Sequence, residues 1–193
     1  MVSMTDSEDS DETLMARYAR GDAAAFETLY RRHEMRVWRY LERNVGNRAT
    51  ADELMQDVWF AVARDAAGYR PTAKFTTWLF TIAHNRMIDS LRAQRHAVSL
   101  DAIGYEADAV IEQLTAHPAA GPLAAAESAR QAAALLHAVG QLPREQREAF
   151  LLQIEAELSV EEIATITASS FETVKSRLRY ARSKLRELLE EYA

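Results

Sequence analysis

The chain has 193 residues, 48% of them hydrophobic and 27% charged, with six glycines, four prolines and a formal net charge of −6. This composition excludes wholesale disorder, and so few turn-forming residues argue against a sandwich or barrel. The lack of cysteine excludes disulfides, thiolate metal sites and a cysteine nucleophile, and no apolar run is long enough to span a bilayer.

Residues 1–11 read as a disordered acidic tail. The segment MVSMTDSEDSDE holds five acids, no base and no apolar core of the kind a secretory signal needs. A short helix carrying Leu14 and Tyr18 follows and stops at Gly21. Asp22 is placed to cap the next helix, whose apolar stripe is Phe26, Leu29, Tyr30, His33, Val37 and Leu41. Gly46 and Asn47 end it. Thr50 and Glu53 suggest a capping box for a third helix carrying Leu54, Val58, Ala61 and Val62. Pro71 lies in a loop, and a long helix is expected from about Thr72 to Arg95.

Composition then shifts. Residues 97–126 are Ala-rich and acidic and read as a flexible tether, with one short helix around residues 108–115. Helices resume near Glu127, and Pro143 suits a first helical turn. The expectation is therefore an all-α fold: a helical domain over residues 12–96, a linker over 97–126, and a second helical domain over 127–193 that contains a helix-turn-helix.

The second domain carries the sharpest local pattern. Ser159 and Glu162 make an S-x-x-E capping box, with Leu158 and Ile163 at the staple positions. A three-residue turn, 168–170, follows the helix VEEIATIT, and Ser169 with Glu172 suggests a second capping box. In the last helix Val174, Leu178, Ala181, Leu185 and Leu188 form one stripe, and Lys175, Arg179, Arg182 and Arg186 form another at the same steps. The apolar stripe packs inward and leaves a basic stripe to face a DNA major groove. The alternative is a solvated amphipathic helix on a bundle surface.

Charge distribution supports the first reading. Residues 171–186 hold six basic side chains against Glu172 alone, and residues 70–96 hold five against Asp89. These are two basic islands in an acidic chain. In the long helix, Trp78, Thr81, Asn85, Asp89, Arg92 and His96 fall within about 40° of one line. With Tyr69 and Phe75 nearby, that stripe could hold splayed single-stranded bases, although Phe75 and Leu79 suit a core equally well. The third helix shows an acidic rim, Asp52, Glu53, Gln56 and Asp57, beside Trp59. An exposed Trp among carboxylates would suit a protein partner. A helix dipole accounts for Asp52 and Glu53 without one.

Taken together, TADELMQDVWFAVAR, FTTWLFTIAHNRMIDSLR and LPREQREAFLLQIEAELSVEEIATI…TVKSRLRYARSKLRELL resemble the bacterial RNA polymerase sigma factors of the extracytoplasmic-function (ECF) group, over roughly residues 14–96 and 127–190. The resemblance implies a cytoplasmic transcription initiation factor. It implies that Asp52, Glu53, Gln56, Asp57 and Trp59 meet a basic coiled coil of the polymerase β′ subunit, and that the C-terminal domain sits on the β flap. It implies that Arg70, Lys74, Asn85, Asp89 and Arg92 serve the −10 element and its unstacked strand. Ser170, Thr173, Lys175, Ser176, Arg179 and Arg182 would serve the −35 element. An anti-sigma factor that covers both domains is a further implied partner, and a stress-response role is compatible.

Three positions depart from the family pattern: Ala168 and Glu172, where glycine is frequent, and Tyr180, where Arg or His is frequent. Alanine suits the turn provided its φ stays negative. Rival readings are weaker. No G-x-S-x-G, P-loop, H-E-x-x-H or dinucleotide fingerprint is present, and the five histidines lack ligand spacing. No catalytic residue, metal or cofactor is expected. An autonomous helix-turn-helix regulator remains the alternative, but no dimerisation helix is evident.

Overall fold

A computed structural model describes residues 9–98 and 122–190, with side chains described from Asp9 to Gln94 and from Arg130 onward. Among these residues the chain is all-helical: α1 (Asp11–Tyr18), α2 (Ala23–Val45), α3 (Arg48–Asp65), α4 (Phe75–Val98), α5 (Pro122–Gly140), α6 (Arg144–Glu155), α7 (Val160–Ile166) and α8 (Phe171–Glu190). The expected tether lies mostly outside the described residues, as does the short helix at 108–115. Its ends are helical, since α4 runs to Val98 and α5 begins at Pro122.

Local chemistry sets most helix boundaries. Asp22 accepts from the backbone N–H groups of Ala24 and Ala25, and Gly46 closes α2 in the left-handed region at φ 68°. The first turn of α3 corrects the expected box: Asn47 is the cap, accepting from Thr50 N at 3.0 Å, and Thr50 already lies inside the helix. The Ser159–Glu162 box forms in full. The cap of α8 moves by one residue, to Ser170, whose Oγ accepts from Thr173 N at 3.1 Å.

The first half packs α2 against α1, α3 and α4. Leu29, Val37, Tyr40, Leu41, Val58, Val62, Phe75, Leu79 and Phe80 are fully buried there. The acidic segment before α1 is tied down from Asp9 onward, contrary to the expectation of disorder through residue 11. Asp9 and Asp22 hold Arg17, and Asp11 holds Arg32 at 2.8 Å and His33 at 2.6 Å. Burial pushes the Asp11 carboxyl up, but the His33 and Arg32 hydrogen bonds and charges outweigh it and leave it below its usual range. Glu12 reaches across to accept from Phe75 N at 2.8 Å, so α1 caps α4. The second half packs α5, α6 and α7 around α8.

The halves meet at a seam in which α2 packs against α6 and α4 against α7, and their buried apolar residues form one continuous core. Two carboxylates are buried there. Glu148 accepts from Tyr40 Oη at 3.4 Å and sits 2.5 Å from His84 Nδ1. Glu155 takes Arg39 at 2.8 Å and also Arg43.

Two sequence expectations are corrected by packing. Trp59 is only 6% exposed, packed on Tyr30 at 4.9 Å and Phe26 at 5.7 Å, whereas its neighbour Phe60 is 72% exposed. Trp59 lies toward α2, and the next residue turns about 100° away, to solvent. Ala168 has φ 48°, not the negative value expected of an alanine. The chain must reverse between α7 and α8 within 167–170, and the left-handed region does this at the cost of a Cβ clash.

Trp59→Ala is expected to lower stability by about 3–5 kcal/mol, and Phe60→Ala to change it by less than about 0.5 kcal/mol, in urea unfolding. Ala168→Gly should raise stability by about 1 kcal/mol, because relief of the left-handed strain exceeds the added entropy of the unfolded chain. A denaturant midpoint that falls in this variant would show that the turn carries no strain.

Candidate nucleic-acid interface

The α8 stripe forms as its spacing requires. Val174, Leu178, Ala181 and Leu185 are buried, and Lys175, Arg179, Arg182 and Arg186 are exposed on other faces. Its N-terminal end presents Ser170, Thr173, Lys175 and Arg179 to solvent, with Ser176 half-buried. The Ser170 and Thr173 hydroxyls share a hydrogen bond of 2.8 Å, so the cap orders both. Arg182 is drawn back to Gln153 Oε1 at 2.6 Å, away from that end. Two exposed aromatics join the stripe: the Lys175 ammonium lies 6.0 Å from the Phe171 ring, and the Arg179 guanidinium 4.9 Å from Tyr180. The sequence signal for them was an aromatic beside a cation on a surface helix.

The second basic island sits around the start of α4. A 3-10 turn, Ala66–Gly68, leads into a loop in which Arg70 and Lys74 are exposed. Arg70 donates to the Tyr69 carbonyl at 3.0 Å, which holds it over the loop. Asn85, Asp89 and Arg92 line one exposed side of α4, with Asp89 and Arg92 3.8 Å apart. The side chain of His96 lies outside the described residues. Tyr69 and Phe75 are buried and only Trp78 keeps partial exposure, so two of the three aromatics belong to the core. Burial, with the charges of Glu12 and Asp11, pushes the Tyr69 phenol up to about 12.

The two islands are not independent. Glu162 of α7 accepts from Thr77 Oγ1 at 2.8 Å and lies 3.5 Å from Lys74 Nζ. Burial alone would raise its carboxyl, but the Ser159 N–H, the Thr77 hydroxyl and Lys74 together hold it below its ordinary value. Its stabilising contribution is therefore present above about pH 4.5 and lost as pH falls through its folded value.

The third candidate face lies on α3. Glu53, Gln56, Asp57 and Phe60 follow steps of three, one and three and share one exposed side. Asp52 is exposed but accepts from Trp38 Nε1 at 2.7 Å. Phe60, which sequence reasoning passed over for Trp59, is the aromatic of this face. Below it Arg86 and Asp89 of α4 face Glu53 and Asp57 across a shallow cleft. Among the described residues no cluster of His, Asp and Glu could hold a metal ion, and no helix is long and apolar enough to cross a membrane.

The family model for Sigma-70 region 2 matches residues 29–97, and that for Sigma-70, region 4 matches 132–185. The RNA polymerase sigma factor CarQ of Myxococcus xanthus is 39% identical over 92% of this chain and 96% of its own length. The ECF RNA polymerase sigma factor RpoE of Cereibacter sphaeroides is 31% identical over 95% of this chain and 98% of its own. Among solved structures, CnrH in complex with the cytosolic domain of CnrY superposes with a TM-score of 0.63 at 26% identity, covering 96% of this chain and 100% of that one. RpoE of Bartonella quintana, solved with the anti-sigma factor NepR, shares the fold at a TM-score of 0.70 and 23% identity, over 86% of this chain and 96% of that one. With both regions matched and a relative of this identity spanning nearly its whole length, the chain belongs to the ECF group of bacterial RNA polymerase sigma factors.

Proposed function

We propose that this sigma factor divides promoter recognition among the three faces just described. The observation that carries the reading is the α8 stripe. A helix-turn-helix presents Lys175 and Arg179 at the leading end of an exposed basic helix, in a chain akin to RNA polymerase sigma factors. Ser170, Thr173, Lys175, Ser176 and Arg179 address the −35 groove and its phosphates, and Arg182 joins them on leaving Gln153. Arg70, Lys74, Asn85, Asp89 and Arg92 address the −10 element. Asn85 is the base reader of this set, since its amide both donates and accepts, which suits the edge of an unstacked base better than a phosphate. Asp52, Glu53, Gln56 and Asp57, with Phe60 one turn beyond Gln56, dock on a basic surface of core polymerase, the β′ coiled coil. The C-terminal half rests on the β flap. The domain division is 12–96 and 127–193.

The chain works in the cytoplasm and performs no covalent chemistry; the polymerase does. An acidic protein with separate basic islands has little affinity for random DNA and is delivered to promoters by its polymerase. A restraining anti-sigma partner is part of the proposal; CnrH, which shares this fold, was solved in complex with the cytosolic domain of CnrY.

Promoter-directed transcription with core polymerase, with and without this chain, tests the reading. Nanomolar sequence-specific binding by the free chain would favour an autonomous regulator instead. Lys175→Ala or Arg179→Ala should weaken −35 recognition by about 1–3 kcal/mol for a base contact. Asn85→Ala should leave duplex docking intact and reduce permanganate reactivity of the melted strand; normal opening would make Asn85 a structural residue. Asp57→Lys should keep the melting temperature and lose competition against another sigma factor for core, by about 2–5 kcal/mol once the partner desolvates the pair.

A further inference from the structure

Arg36, Arg39 and Arg43 recur along α2 at steps of three and four, which places them on one side of the helix. They belong to neither basic island. In the structure they converge on one short stretch of the other half of the chain. Glu155 Oε2 takes Arg39 Nε at 2.8 Å, and Oε1 takes Arg43. Arg36 Nε donates to the Glu155 carbonyl at 2.6 Å, and its Nη2 lies 2.7 Å from Glu157 Oε1. The Glu155 side chain is 6% exposed, so the guanidinium groups enclose it.

This closed arrangement cannot persist at a promoter. The −10 and −35 elements lie roughly two helical turns apart, about 70 Å at one turn per 34–36 Å. Lys74, beside the −10 face, is here 3.5 Å from Glu162 of the helix-turn-helix. Engaging both elements therefore separates α2 from α6 and strips the arginines of their carboxylates. Like charges on one helix side repel, and guanidinium forks fit phosphate oxygens in the way they fit a carboxylate.

We propose that Arg36, Arg39 and Arg43 form a third nucleic-acid surface, one that grips the DNA phosphate backbone, and that Glu155 and Glu157 occupy it in the closed chain in place of phosphate. The step in which the halves part rests on the initiation reading above. The surface itself reads no sequence, because all its contacts are to phosphate.

The test uses the full chain and a short fluorescent duplex of random sequence, without polymerase, titrated across salt concentrations. Glu155→Ala removes the carboxylate that holds Arg39 and Arg43 and leaves Glu157 on Arg36. It is expected to tighten binding at low salt and to steepen the slope of log affinity against log salt by roughly two, at about 0.9 per phosphate contacted. Adding Arg36→Ala, Arg39→Ala and Arg43→Ala to that variant should return the slope to the wild-type value. Glu155→Gln, close in shape, is run alongside and decides the matter if the alanine variant does not fold. An unchanged slope in the folded variant overturns the proposal, as does a steepened slope that survives loss of the three arginines. Because neither promoter nor polymerase is present, failure here is distinct from failure of promoter-directed transcription, which would count against the initiation reading.

Discussion

Taking a carboxylate out of water is expensive unless cations or hydrogen-bond donors meet it, and α6 does this twice, at Glu148 and Glu155. The closed arrangement depends on how those two charges are answered. Glu155 receives two guanidinium groups from α2, and Glu148 receives an imidazole from α4 and the Tyr40 hydroxyl. The cost is visible in the partners. Burial pulls the Arg43 guanidinium below its usual value against the pull of Glu155, and burial together with Glu148 pushes the Tyr40 phenol far up. A seam of this kind is specific in register, and it sits within an apolar core that is continuous across both halves. Contacts between domains of one chain resemble transient interfaces, and the proposed reading has these two halves part at a promoter.

The parts of this fold legible in the sequence are those set by neighbours along the chain. The Asp22 cap, the Ser159–Glu162 box and the two stripes of α8 all depend on residues within one or two helical turns, and each formed where its spacing placed it. Boundaries slipped where two capping residues stood close together. Asn47 and Thr50 are both able to start α3, as Ser169 and Ser170 are to start α8, and Asn47 and Ser170 take the caps.

What the sequence concealed is mostly long-range. The cap that Glu12 gives Phe75 spans 63 residues, and the pairing of Arg39 with Glu155 spans 116. No periodicity encodes either. Trp59 and Phe60 show the same limit at close range: both are aromatic, both sit beside the acidic rim, and only the direction of α2 decides which is buried. The sign of φ at Ala168 was hidden as well, because alanine gives no hint of a left-handed turn and only the geometry of the helix reversal imposes one.

Glu162 holds two positions at once. One oxygen closes the capping box on the Ser159 N–H, and the other accepts from Thr77 and faces Lys74 across the seam. The bonds that would break on separation are therefore not the bonds that hold α7 in shape. In the proposed separation, Glu162 would keep its bond to its own helix start, and only its outward oxygen would turn to water. The contact is built as a latch mounted on a fixed post: the oxygen that would let go is not the one that holds the start of the helix-turn-helix.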